Sequence, residues 1–270
     1  MVKMNETYQK AVSYYLENEN ESTTDVAKKF SIDRGTFYNK LKALGIPSRS
    51  KREKYSFNRQ YFNNIDTEDK AYWLGFLLAD GNNTEATLRV RLKAADREHL
   101  EKFNACINGN IEIKIEDGSG YAKGKKDSVA SLVISSREMC RAVMQYGIIP
   151  NKTALNREPM YNFHNPQLQN AFIRGIFDGD GWCYFSSNDN EIGISGTKEL
   201  CKSIKEYLTT ELGIENISES EIDSIYRIRI CNKAGILKFY HSIIENKEEL
   251  YLKRKYDLVK NYAVLNETTN

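Results

Sequence analysis

Two aspartates one hundred residues apart, Asp80 and Asp180, carry the strongest chemical signal in this 270-residue chain. Each closes an apolar helical phrase with a central glycine: Trp73-Leu74-Gly75-Phe76-Leu77-Leu78-Ala79-Asp80-Gly81 and Ile173-Arg174-Gly175-Ile176-Phe177-Asp178-Gly179-Asp180-Gly181. A carboxylate at a helix C-terminus faces the negative end of the macrodipole, at a cost of about 0.3–1 kcal/mol. If the two helices pack together, two such anions become neighbours, an arrangement that calls for a cation. Hard oxygen ligands with open positions for water and phosphate describe a magnesium site. Such an ion can orient and acidify an attacking water and neutralise a leaving oxygen.

Other chemistries find no support. The five cysteines (Cys106, Cys140, Cys183, Cys201, Cys231) are odd in number and form no C-x-x-C pair, which argues against zinc or a disulfide framework. His99, His164 and His241 form no HExxH pattern or close cluster, and each is expected as a surface or part-buried polar residue. A 40% apolar, 28% charged composition is that of a globular protein, with no apolar run long enough to span a membrane. Polar residues Tyr8, Gln9 and Lys10 stand where a signal peptide would be apolar, so a cytoplasmic location is expected.

The elements that must position the aspartates repeat. After each Asp-Gly comes a strand-like hairpin and then a helix, opened by Asp96 in the first half and Thr197 in the second. Further strands are expected at 111–116, 128–135, 217–222 and 225–230, with closing helices near 137–146 and 233–244. Thr67 is a plausible cap for the first motif helix. Asn165 followed by Pro166 is a stronger start signal for the second. Each half therefore reads helix, hairpin, helix, hairpin, helix. Leu88-Arg89-Val90-Arg91-Leu92-Lys93 alternates strictly, which puts Arg89, Arg91 and Lys93 on one strand face. Tyr226-Arg227-Ile228-Arg229-Ile230 does the same for Arg227 and Arg229. Arginines there can read guanine bidentately or hold phosphate.

The N-terminal segment has the punctuation of a helix-turn-helix. A first helix runs from about Thr7 to Asn18, with Ala11, Val12, Tyr15 and Leu16 on one face. Ser22, Thr23 or Thr24 can cap a second helix ending near Phe30, and Asp33 a third from Arg34 to about Leu44. Val26, Ala27, Phe30, Ile32, Phe37, Leu41 and Leu44 would close a small core. The stretch resembles the helix-turn-helix of bacterial and phage DNA-binding proteins, with Ser31 where glycine is usual. On its third helix Arg34, Thr36, Tyr38, Asn39 and Lys42 would face a major groove. Between Lys28 and Arg59 stand ten basic and two acidic residues, a stripe suited to a phosphate backbone. Within it, Arg49, Lys51 and Arg52 lie on an expected basic, poorly structured linker.

Residues 60–262 resemble a single-chain homing endonuclease of the LAGLIDADG family, on both motif helices and the duplicated pattern behind them. By that resemblance Gly75 and Gly175 let the helices approach closely. Asp80 and Asp180 are the metal-binding aspartates, with Ala79 and Gly179 beside them in the metal set. Leu78 departs from the signature, which has an earlier aspartate there; Asp178 keeps it in the second half, and it is not the family's metal ligand. Family enzymes also keep a basic residue per half, for which Lys152 and Lys255 are the candidates and Lys253 a rival.

The resemblance implies an α+β fold. A pseudo-twofold duplicated αββαββα core would be preceded by a small all-α helix-turn-helix domain. The expected division is 1–46 for that domain, 47–59 for a basic linker, 60–164 for the first half and 165–270 for the second. The implied activity is site-specific cleavage of both strands of duplex DNA across the minor groove, with Mg²⁺ or another divalent cation. The implied state is a monomer in a bacterial or phage context. A duplex presents two scissile phosphates across that groove, hence two carboxylates near one axis. The alternatives are a non-cleaving DNA-binding transcriptional regulator of the same fold and, behind it, an intron RNA maturase. An intein is disfavoured by Met1 and by the absence of a histidine before Asn270.

Overall fold

The computed structural model describes residues 6–19, 21–49, 55–117, 128–151, 160–245 and 250–267. The chain divides into two compact units, residues 1–58 with 108–111, and residues 59–107 with 112–270. No described helix is long and apolar enough to cross a membrane.

The first unit holds α1 (Glu6–Glu17), α2 (Thr23–Lys29) and α3 (Arg34–Ala43). Ser22 caps α2 by accepting the Asp25 N–H at 3.1 Å, and Asp33 caps α3 by accepting the Thr36 N–H at 2.8 Å. Between them the chain reverses at Ser31, whose φ of 52° lies in the left-handed region. The Ser31 N–H bonds to Lys28 and the Ile32 N–H to Ala27, closing the orphan carbonyls of α2. Ala11, Val12, Tyr15, Val26, Ala27, Phe37 and Leu41 form the core, with Phe30, Ile32 and Ile46 packed against it. Leu44, expected in the core, is 50% exposed, and Leu16, expected on the inner face of α1, is 57% exposed. Tyr15 takes the inner place on α1 because its hydroxyl is held by the Pro47 carbonyl and Thr23. Leu44 sits at the α3 C-cap, and Ile46 returns to the core after Gly45 at φ 68°.

The second unit runs α4 (Glu68–Asp80), β1 (Gly81–Asn83), β2 (Leu88–Lys93), α5 (Arg97–Cys106), β3 (Lys114–Asp117), β4 (Ser128–Ile134) and α6 (Arg137–Met144). It continues with α7 (Pro166–Asp180), β5 (Gly181–Phe185), β6 (Asn190–Gly196), α8 (Lys198–Thr210), β7 (Ile217–Ile222), β8 (Ile225–Ile230) and α9 (Lys233–Phe239). A π-helical turn (Tyr240–Ile244) and α10 (Lys253–Glu267) end it. Among the described residues two antiparallel four-stranded sheets result, ordered β1-β2-β4-β3 and β5-β6-β8-β7, so the same topology occurs twice. Each sheet turns one face to helices: Leu88, Val90 and Leu92 are buried in β2, as are Tyr226, Ile228 and Ile230 in β8.

Several local expectations need correction. The strand expected at 111–116 begins only at Lys114, and all four β3 residues are exposed, so no buried alternation marks its start. Thr67 makes no side-chain cap; the Ala71 N–H reaches its backbone carbonyl instead. Asp96 ends a 3-10 turn and pairs with Arg254 at 3.1 Å, whereas Thr197 does cap α8. His99 is buried, not near the surface, within van der Waals reach of Tyr72, Trp73 and Phe76. Helix α10 was not expected at all.

Candidate metal centre and nucleic-acid interface

The motif helices α4 and α7 cross at their glycines. A Cβ on Gly75 would fall on the Phe172 carbonyl, 2.9 Å from its carbon. A Cβ on Gly175 would fall on the Tyr72 carbonyl and 2.6 Å from the Phe76 nitrogen. Phe172 and Tyr72 each precede the opposite glycine by three residues, so the contact is reciprocal. Backbone against backbone at this distance tolerates no side chain, which is why glycine stands at both positions. The approach persists to the C-terminal ends, where Asp80 Oδ2 lies 3.5 Å from the Cβ position of Gly179. Asp80 is half-buried and Asp180 exposed, and the Asp180 carbonyl accepts the Ser195 hydroxyl at 2.8 Å.

Lys255 reaches this end from α10. It is buried, and its ammonium donates to the carbonyls of Phe177 (2.7 Å), Asp178 (2.7 Å), Gly179 (3.3 Å) and Gly181 (2.5 Å). Burial pushes it down to about 8, while Asp178 and Asp80 pull the other way. The rival Lys253 is exposed and paired with Asp257 at 2.7 Å. Lys152 lies outside the described residues, as do Lys51 and Arg52.

Asp178, the signature's earlier aspartate, is buried between the helices. It accepts the Tyr72 hydroxyl and the Leu252 N–H, each at 2.7 Å. Burial holds its carboxyl above the ordinary carboxylate value, against the Tyr72 and Leu252 hydrogen bonds and the charges of Lys255 and Arg174. Arg174, also buried, donates to the carbonyls of Leu250 (2.8 Å) and Ile243 (3.0 Å). Asp178, Arg174 and Lys255 thus tie α7 to the segment that carries α10. Sequence reasoning missed this clamp. Its signal was the buried spacing Lys255, Val259, Ala263, in which a lysine stands where an apolar residue would have marked the helix.

The groups at the paired helix ends that could ligate an ion are all oxygen: two carboxylates and the carbonyls of Ala79 and Gly179, the last of which also accepts from Lys255 at 3.3 Å. Among the described residues no three His, Cys, Asp or Glu side chains converge, so an ion here would rest on this set. The set suits a hard divalent cation. The ammonium drawn onto four carbonyls shows that the α7 end holds positive charge.

Arg89, Arg91 and Lys93 project from the outer face of the first sheet, and Arg91 meets Glu116 at 3.8 Å. Arg227 and Arg229 project from the second and are partly buried. Arg34, Thr36, Tyr38, Asn39 and Lys42 are all exposed on α3. Arg49 differs from the expected linker residue. Its guanidinium lies 3.7 Å over the Tyr15 ring and donates to the carbonyls of Tyr15 and Asn18, capping α1.

Residues 167–243 match the family model of the LAGLIDADG-like domain. The chain carries a LAGLIDADG-like domain. Around it, the homing endonuclease I-WcaI bound to its DNA recognition sequence superposes with a TM-score of 0.51 at 15% identity, covering 81% of this chain and 97% of that one. The fold is therefore that of the LAGLIDADG homing endonucleases. Two further similar structures are the meganuclease I-SmaMI bound to uncleavable DNA (TM-score 0.46, 15% identity, 75% of this chain and 92% of that) and full-length DUF199/WhiA from Thermatoga maritima (0.47, 16%, 76% and 66%). This chain thus spans about two thirds of the length of full-length DUF199/WhiA. No curated protein matches the chain by sequence. The LAGLIDADG-like match begins one residue after Pro166 and takes in all of the second motif, Asp180 included.

Proposed function

We propose that the chain is a site-specific, divalent-metal-dependent endonuclease that binds duplex DNA on its two sheets and cuts both strands. The observation that carries this reading is the approach of the motif helix ends, where the Asp80 carboxylate stands 3.5 Å from the Cβ position of Gly179. Asp80 and Asp180 each close a helix at the negative end of its dipole, and the two ends approach one another, an arrangement that a bound divalent cation would stabilise. Asp80 and Asp180, with the carbonyls of Ala79 and Gly179, would hold Mg²⁺ or a similar ion. Bound there, it supplies charge neutralisation at phosphate and an acidified water.

The protein's own residues do the rest. Gly75 and Gly175 fix the spacing of the carboxylates, and Lys255 anchors the carbonyl end of α7 beside Asp180. Arg89, Arg91, Lys93, Arg227 and Arg229 supply positive charge to the duplex and donors to base edges. The exposed side chains of α3, in a separate N-terminal domain, add contacts to flanking DNA and raise affinity through tethering.

The test is incubation with DNA from the protein's own genomic locus, with Mg²⁺ and again with EDTA. A double-strand break in Mg²⁺ alone is expected. Asp80→Asn or Asp180→Asn is expected to abolish the break while the duplex is still retarded in a mobility shift. DNA that is bound but intact under every condition would leave a non-cleaving regulator as the better reading.

A further inference from the structure

The two sheets carry their arginines differently. In the second, β5 places Trp182 opposite Gly193, and Gly193 lies opposite Arg229 of β8, so all three share the outer face. The indole lies flat on the glycine; a Cβ at Gly193 would stand 2.6 Å from Trp182 Cε2. Glu191 on β6 accepts the Trp182 indole N–H at 2.7 Å through one oxygen. Its other oxygen stands 3.6 Å from an Arg229 guanidinium nitrogen. The Arg229 Nε is buried and makes no hydrogen bond. The Arg227 guanidinium lies over the same indole, 6.0 Å from its ring centre. In the first sheet the corresponding strand offers Asn82 opposite Arg89. Its acid–arginine pair, Glu116 with Arg91, is half-exposed on both sides.

A carboxylate on a face that meets phosphate costs affinity, so Glu191 calls for a compensating role. Its geometry supplies one. It holds the indole through one oxygen, and its other oxygen, 3.6 Å from Arg229, draws that guanidinium toward one position. A restrained guanidinium can match guanine O6 and N7 but cannot swing to a phosphate when the base is wrong. An exposed, mobile arginine does the reverse, contributing attraction that ignores sequence.

We propose that Trp182, Glu191 and Arg229 form a pre-set base-reading unit, in which Glu191 is a positioning residue that fixes the base-pair preference of the second half. This rests on the reading of the outer sheet faces as a duplex-binding surface.

The test uses a randomised duplex pool in EDTA. Wild-type protein selects its preferred sequences, and affinity is then measured for one selected duplex and each single-base-pair substitution of it. Glu191→Gln is expected to bind unselected DNA at least as tightly, one repelling charge having gone. At one base pair its preference falls from about 10-fold to about 2-fold. Arg91→Gln, by contrast, weakens all duplexes alike and lowers the salt slope by about 1. A Glu191→Gln protein with an unchanged melting point and the full wild-type preference profile overturns the proposal and leaves the duplex-binding reading intact. A wild-type protein that retains no duplex from the pool overturns the duplex-binding reading, and the base-reading unit with it.

Discussion

Tyr72 of α4 donates its hydroxyl to Asp178 of α7 across the motif-helix interface, at 2.7 Å. Because that proton is committed to the carboxylate, the His99 Nε2 at 2.9 Å from the same oxygen must be the donor. The three side chains form a one-way chain, imidazole to phenol to carboxylate, buried throughout. Leu78 occupies the position in the first half that Asp178 has in the second, so the network crosses the interface in one direction only. Tyr72→Phe leaves Asp178 with the Leu252 N–H and leaves the His99 donor without its acceptor. We expect a loss of about 1–3 kcal/mol of stability, read by urea unfolding. A midpoint equal to wild type would mean that the chain does not contribute to holding the helices together.

The same network fixes the acid behaviour. Burial first, then the charges of Lys102, Arg254 and Lys255, push His99 down to about 3 from its ordinary 6.5. As pH falls below 6.5 the unfolded chain takes up a proton that the folded chain refuses until about 3. A base with a depressed folded value thus costs stability as pH drops through that window, at about 1.4 kcal/mol per pH unit. The Asp178 carboxyl, raised by burial, works in the opposite sense at its lower end. We expect wild type to lose stability relative to His99→Gln, which keeps a donor but does not titrate, between about pH 6.5 and pH 5. Parallel curves for the two proteins would sink this account.

The glycine crossing admits a sharper test. Gly75→Ala must move the Phe172 backbone, since the new methyl has no flexible side chain to displace. Overpacking of this kind costs about 1–3 kcal/mol, and more when the neighbour is backbone. Gly175→Ala is expected to cost a similar amount, because the contact is reciprocal. Calorimetric melting checks both. Two variants that melt with wild type would show that the helices can part freely.

Much of this was legible in the sequence, and the misses share a cause. The paired motifs, the glycine spacing and the alternation of β2 and β8 are periodic signals of local origin, and the structure carries all of them. What stayed hidden depends on partners distant in the chain. Lys255 sits in the buried stripe of α10 because three carbonyls of α7 and that of Gly181, some seventy-five residues earlier, satisfy its ammonium. On polarity alone the segment reads as solvent-exposed. Arg49 likewise reads as linker charge, yet its guanidinium closes the C-terminal carbonyls of α1. Among the candidate site residues, the placement of the aspartates at paired helix ends and of the sheet arginines on the outer faces was readable by type and spacing. The clamp of Asp178, Arg174 and Lys255 that holds α7 was not.

Ser31 offers a stabilising change. It closes α2 at φ 52°, where a side chain is strained by about 1–2 kcal/mol and glycine is not. Glycine's greater freedom in the unfolded chain returns part of that difference. We expect Ser31→Gly to raise stability by about 0.5–1 kcal/mol, visible in helical ellipticity on heating. An unchanged or lower midpoint would show that the serine geometry is relaxed.

Lys255→Met separates two roles for this lysine. An exposed side chain waiting for substrate would make little difference to stability when removed. Lys255 is instead nearly inaccessible and holds the carbonyls of Phe177, Asp178, Gly179 and Gly181. Methionine fills a similar volume, so the change removes charge and hydrogen bonds with little effect on packing. Relief of the buried ammonium's desolvation partly compensates, which limits the net effect. Charge-assisted hydrogen bonds contribute about 1.5–3 kcal/mol, and the helix end and Asp178 both lose a neighbouring cation. We expect a net loss of about 2 kcal/mol in urea unfolding without metal. A variant as stable as wild type, yet defective in DNA cleavage, would move Lys255 from anchoring α7 to acting directly on the phosphate.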